Sequence, residues 1–319
     1  MSNTSCHMCT NKKSTSPNSS DDFSGQNLDS PVNALVFSTA VVIGLLSPLA
    51  IVGNALILAT IWRRTFLRTS FHFVLSGLVV TDFLTGLISQ PFYASFHLIN
   101  TTNSAVIQDN PKVVNAIGFI AGLSTFLFVN VTVATMTLLS VERWSHMSRR
   151  SFLTSQRRYF ASIVILVFPM PSLVVYILAL SKPALWYTLF QITITNLSFC
   201  YLIISLAYFK VYKIVRRHQL QIQANGISQS FGQPAIDLAK YKKSVASMLY
   251  IFLLFSISFL PFAVSNAVVL ITTHEDTLIA LKLSTVFVYL SSSLNPVLYF
   301  WRMRDIRNGF KQLLASLRT

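Results

Sequence analysis

Seven apolar stretches dominate this chain, near residues 33–62, 71–99, 113–141, 159–181, 184–209, 245–272 and 277–300. The hydrocarbon core of a bilayer is about 30 Å thick and takes roughly 20 helical residues to cross. A backbone inside it must satisfy its own hydrogen bonds, which restricts spanning segments to helices or a closed barrel. Runs this long predict helices, so the chain reads as an all-α membrane protein, a seven-transmembrane helix bundle. Composition agrees: 53% of residues are hydrophobic and only 11% charged, outside the range of ordinary soluble domains.

A net charge of +15 invites a nucleic-acid reading, which its distribution disfavours. With the N-terminus outside, 20 of the 25 basic residues fall on cytoplasmic segments, among them Arg63, Arg143, Arg149, Arg216, Lys242 and Arg304. That is the positive-inside pattern, and such short clusters next to the membrane suit anionic lipid headgroups rather than nucleic acid. Three sequons, beginning at Asn3, Asn18 and Asn100, fall on the outer side and are candidate glycosylation sites, whereas those at Asn130 and Asn196 lie inside spans and should be unused. Residues 1–31 read as an extracellular tail with no apolar run fit for a signal peptide. Residues 32–301 read as the seven-span domain. Residues 302–319 read as a short amphipathic cytoplasmic helix after the last span, lying on the inner leaflet, with Trp301, Ile306, Phe310, Leu313 and Leu317 roughly on one face. The expected location is the plasma membrane, with the C-terminus in the cytoplasm.

Charge inside a membrane is costly and usually functional, and the clearly mid-span acid is Asp82. Asn54, Thr132, Ser291, Ser292 and Asn295 supply amides and hydroxyls on other spans. Oxygen donors of these kinds suit a sodium ion or a water cluster; a purely structural polar knot between helices is the other reading. Pro261 and Pro296 each remove a backbone hydrogen bond within a span and provide places to bend. Cys6-His7-Met8-Cys9 in the tail reads as a small disulfide loop or a metal clip.

Glu142-Arg143-Trp144 closes the third span and Asn295-Pro296-Val297-Leu298-Tyr299 the seventh. Together with Asn54, Asp82 and Pro261, these motifs resemble the fingerprint of rhodopsin-like (class A) G-protein-coupled receptors, from Val32 to Leu317. The resemblance implies an extracellular ligand, a heterotrimeric G protein as partner, no enzymatic activity and no cofactor beyond a sodium ion. It implies that Arg143 rests against Glu142 and, on activation, meets Tyr208 and Tyr299 as the sixth span swings outward. The family's tryptophan before the sixth-span proline is Phe259 here, and the acid that latches the arginine in many relatives is Tyr241, flanked by lysines, with Asp237 as the nearest acid.

Further departures narrow the likeness. Gly118 stands where the family's disulfide begins, Cys200 where the fifth-span proline is common, and the loop at Ser181-Lys182-Pro183 is very short. The pattern is similar to the melanocortin, lysophospholipid, cannabinoid and adenosine receptors. The position of the amine-binding aspartate is Thr125 and that of the retinal lysine is Tyr289, so cationic amines and light sensing are disfavoured. The expected pocket comprises Phe92, Thr125, Phe262, Asn266 and Tyr289, suited to an uncharged or apolar ligand, lipid-like or nucleoside-like. Asn266 is either a ligand contact or an interhelical hydrogen bond. A melanocortin-like peptide receptor is the alternative, and a channel or transporter a more distant one, since Asp82 alone makes a thin polar path.

Overall fold

The computed structural model describes residues 31–63, 70–102, 104–148, 155–182, 184–225, 238–272 and 274–318. Asn3, Asn18, Cys6, Cys9 and Asp237 lie outside them, as does the side chain of Tyr241. The helices are α1 Pro31–Arg63, α2 Ser70–Leu84, α3 Gln90–Thr102, α4 Ser104–Asp109, α5 Pro111–Met147, α6 Ser155–Val167, α7 Met170–Ala179, α8 Leu185–Asn225, α9 Leu238–Ile271, α10 Glu275–Arg302 and α11 Arg304–Arg318. Seven helical segments among the described residues are long and apolar enough to cross a membrane. Two of them are composite. The second span joins α2 to α3, and the fourth is completed by α7 after a break at Phe168 and Pro169.

Both interruptions trace to proline. Pro169 and Pro171 cannot donate to the preceding turn, so the span expected as one helix over 159–181 is broken in the middle. In the second span, a π-helical turn at Thr85–Ser89 precedes Pro91. The Gln90 N–H reaches back to the Thr85 carbonyl instead of that of Gly86, which leaves the Gly86 oxygen open. The Ser47 hydroxyl of α1 donates to it at 2.8 Å. This approach requires glycine, because a Cβ at Gly86 would meet the Ala50 Cβ at 2.8 Å.

The seventh span solves the same problem in the same way. Pro296 has no N–H for the Ser292 carbonyl, and the Asn54 side chain donates to that oxygen at 3.0 Å and to its own Ala50 carbonyl at 2.8 Å. A Cβ at Gly53 would collide with the Pro296 ring, so the glycine beside Asn54 lets α1 come close enough for the bond. Ser293 donates to the Leu46 carbonyl at 3.1 Å. Gln90, fully buried, donates to the Tyr289 carbonyl at 3.2 Å. Spans one, two and seven are thus tied through side-chain bonds to backbone oxygens.

The core gathers Ile57, Leu75, Leu78, Val133, Ile204, Phe255 and Phe259, while Leu45, Val52, Leu166, Phe199, Ile257 and Val264 stay exposed on the outside, as a lipid-facing surface requires. The two sequon asparagines expected to be unused are paired across spans three and five, with Asn196 donating to the Asn130 side-chain oxygen at 3.2 Å. Asn100 is exposed near the end of α3. After the last span, α11 buries Ile306 and Leu313 and rests Phe310 edge-on against Phe300, ring centres 4.9 Å apart, with Arg304 and Lys311 exposed on its other faces.

Candidate functional site

A cavity of about 250 Å³ lies between the ends of spans two, three, five, six and seven that the charge pattern puts outside, walled by Tyr93, Phe96, Phe126, Trp186, Phe190 and Phe262. Two glycines of α5 make the wall possible. A Cβ at Gly118 would run into the Phe96 ring, and one at Gly122 into the Tyr176 hydroxyl. The position that lacks the disulfide cysteine is therefore used for aromatic packing. Cys200, the described cysteine, is buried facing span three, with Thr137 as its hydroxyl neighbour.

Of the expected pocket residues, Thr125, Phe262 and Asn266 line the cavity. Tyr289 lies directly beneath as its floor, its hydroxyl sharing a 2.6 Å hydrogen bond with that of Thr125. Phe92 does not line it; Tyr93 and Phe96 do. The π turn explains the correction, because one extra residue in a turn rotates everything after it by about 100°. Two polar residues not expected in the pocket stand on the cavity wall, His97 and Lys282, the latter read from the sequence only as a basic residue near the outer rim. Their signal was a register that only the π turn and the neighbouring helices fix.

Below the Thr125–Tyr289 floor is a space of about 10 Å³ bordered by Ser89, Thr132, Phe259 and Ser292, enough for about one water-sized occupant. Asp82 is fully buried deeper in the bundle and accepts a 2.8 Å bond from Asn295. The hydroxyl beside it belongs to Ser292; Ser291 instead donates to the Val288 carbonyl at 2.8 Å. Of the two serines expected near the carboxylate, Ser292 is therefore the one beside it, and Ser291 is not. Asp82 Oδ1, Asn54 Oδ1 and Ser89 Oγ are buried with no hydrogen-bond partner among the described residues. These are oxygens with spare lone pairs, the donor type that a hard cation or water takes up.

At the end that the charge pattern puts inside, the Arg143 guanidinium sits over the Phe71 ring, 3.3 Å from its centre. Tyr208, Glu142 and Asp305 are the charged or ionisable groups that act on it. An aromatic seat supplied by the first turn of α2 thus holds Arg143, with Glu142 within electrostatic reach. Glu142 is buried at the foot of the third span, and Tyr299 is fully buried, its hydroxyl without a hydrogen-bond partner among the described residues. Tyr208 packs on Phe252 of α9, ring centres 4.9 Å apart. Higher in the same helix, Phe255 and Phe259 stack at 4.6 Å, with Pro261 two residues farther along.

The sequence profile described as 7 transmembrane receptor (rhodopsin family) matches residues 53–299, the stretch from Gly53 to Tyr299 that holds the buried carboxylate and the arginine seat. The chain belongs to that family. Relatives include the mouse neuromedin-U receptor 2, 25% identical with 88% of this chain and 76% of the relative covered. The high-affinity lysophosphatidic acid receptor of Xenopus laevis is 20% identical, covering 87% and 82%. The human probable G-protein coupled receptor 63 is 21% identical, covering 83% and 70%. This chain is accordingly a G-protein-coupled receptor of the rhodopsin class, with a cavity at one end of the bundle and the aromatic seat of Arg143 at the other.

Proposed function

We propose that the receptor binds a small ligand with a largely apolar body in the cavity above Tyr289 and passes the signal to a heterotrimeric G protein through release of Arg143. The observation that carries this reading is the position of Arg143. Its guanidinium is folded onto Phe71 and so withheld from the groove that an outward swing of the sixth span would open. Freed, it can donate to the terminal carbonyls of a partner helix seated in that groove. Glu142, Tyr208, Phe259, Pro261, Asn295, Pro296 and Tyr299 serve the same switch. The N-terminus faces outward and the C-terminus the cytoplasm, with α11 on anionic lipid. The relatives' names divide between neuromedin-U and lysophosphatidic acid, so the ligand class is argued from the cavity. A basic peptide finds no acid on its wall.

Asp82, with Asn54, Thr132, Ser292 and Asn295, holds a sodium ion or water that favours the resting arrangement. The unpartnered oxygens of Asp82 and Asn54 support this. An ion there would neutralise the buried carboxylate without a proton.

The test expresses tagged receptor in cells and reads G-protein dissociation against surface level. Arg143→Ala should remove coupling while leaving surface staining of an N-terminal tag unchanged. Coupling that survives Arg143→Ala, or a C-terminal tag that stains without permeabilisation, would overturn the reading. Agonist affinity should fall as sodium rises in wild type and lose that dependence in Asp82→Asn; indifference to sodium in both leaves Asp82 a structural knot.

A further inference from the structure

Most of the cavity wall is apolar and aromatic, yet two nitrogen-bearing side chains stand at its outer end, Lys282 of α10 and His97 of α3. Both are half-buried. The His97 ring is held in place by Tyr93 and Phe96, with ring centres 4.4 and 5.4 Å away, and it lies within electrostatic reach of Lys282. Among the described residues no acidic side chain lines the cavity, and Lys282 has no hydrogen-bond or ion-pair partner. A half-buried cation in such surroundings has lost part of its hydration, and a counter-charge from a ligand would compensate for it. A second group is incomplete deeper in. Asn266 is 1% exposed and donates its amide to the Phe262 carbonyl at 2.6 Å, which leaves its side-chain oxygen buried with no donor.

We infer that the cavity takes an amphiphile with a single anionic head, a carboxylate or a phosphate, seated at Lys282 and His97, and with an apolar body that carries one hydroxyl or N–H to donate to Asn266. The inference rests on the receptor reading and specifies its ligand class. It departs from the uncharged ligand expected from the sequence, because Lys282 faces the cavity rather than the outer rim alone. Size follows from volume. A cavity of about 250 Å³ admits at least the bulk of an eight-carbon chain or a substituted ring, counting about 30 Å³ per water-sized group as the upper bound. Lys282 supplies a point charge and His97 a directional N–H, a pair that suits either oxyanion.

The test separates binding from signalling. Purified receptor in lipid nanodiscs is titrated with octanoate, a hydroxylated octanoate, methyl octanoate, octylamine and octyl phosphate. The same compounds are applied to cells that report G-protein dissociation. Octanoate or octyl phosphate should bind at least about tenfold more tightly than the methyl ester, with no binding of the amine, and the stronger of the two identifies the head group. Lys282→Gln should erase the preference for the acid while leaving ester binding unchanged. Asn266→Leu should erase any preference for the hydroxylated chain. Equal binding of acid and ester, preference for the amine, no binding by any probe at millimolar concentration, or an acid preference that survives Lys282→Gln would each overturn the inference. Charge-dependent binding to the purified protein without any G-protein response would leave this site standing and count against the signalling assignment alone.

Discussion

Replacing Phe71 by leucine should raise signalling in the absence of ligand. The Arg143 guanidinium carbon lies 3.3 Å from the centre of the Phe71 ring, and Phe71 is 9% exposed, so the contact is largely out of water. Cation–π contacts are worth about 0.5–1 kcal/mol at exposed sites and about 2 kcal/mol when desolvated. Leucine keeps an apolar side chain and loses the ring face, so a hold of up to about 2 kcal/mol disappears, equivalent to roughly thirtyfold in the ratio of freed to seated arginine. While the active state is rare, basal activity rises nearly in proportion to that ratio. Phe71→Tyr retains the ring and should stay near wild type. The assay is ligand-independent G-protein dissociation, normalised to receptor counted at the cell surface. A Phe71→Leu receptor with wild-type basal activity at equal surface level would refute the aromatic seat.

Other outcomes follow from the same contacts. Tyr241→Glu adds an acid to a stretch of lysines that has none and should lower basal activity, in wild type and in Phe71→Leu alike, read in the same assay. Gly122→Ala places a methyl against the Tyr176 hydroxyl and should cost about 1–3 kcal/mol, seen as a lower inactivation temperature in detergent; Tyr176→Phe in the same chain should recover part of it. Ser47→Ala orphans the Gly86 carbonyl of the π turn and should cost about 1–3 kcal/mol in the same measurement, whereas Ser47→Thr should be near neutral. Asn196→Leu removes one interhelical bond and should cost less, about 0.6 and at most about 1.7 kcal/mol.

The seven spans were legible because hydropathy acts over some twenty residues at a time and tolerates local error. The break at Pro169 and the π turn before Pro91 were not, although the prolines were in view. Whether a span kinks, breaks or widens at a proline depends on who takes the freed carbonyl, and Ser47 comes from a different helix. Errors of rotation followed. Phe92 was expected to face the ligand and Tyr93 does; of the two serines expected near the carboxylate, Ser292 stands there and Ser291 turns to its own backbone. Asp82 and Asn295 are joined by a hydrogen bond and Asn54 reaches the Ser292 carbonyl, contacts set by buried charge and by Pro296 rather than by helical phase alone. The aromatic seat under Arg143 was invisible, since Phe71 in a sequence reads as one more apolar residue at a helix start. Lys282 was visible as a charge near a membrane surface, but the direction it faces depends on how α10 is turned.

Two kinds of joint hold this bundle, and they fail differently when pulled. Spans one, two and seven are pegged by Ser47, Asn54, Gln90 and Ser293 to backbone oxygens of their neighbours. Withdrawing Ser47 or Asn54 strands the Gly86 or Ser292 carbonyl, which the π turn and Pro296 leave without a helical donor. The joint between the fifth and sixth spans is a bearing of rings, with Tyr201 and Tyr208 on either side of Phe252 and one long 3.4 Å contact between the Tyr201 and Ser256 hydroxyls. Rings can slide while staying covered, so resistance there rises gradually with displacement. On the proposed outward swing, the pegged staves would act as a stator and the sixth span as the moving part, sliding on its rings against the fifth.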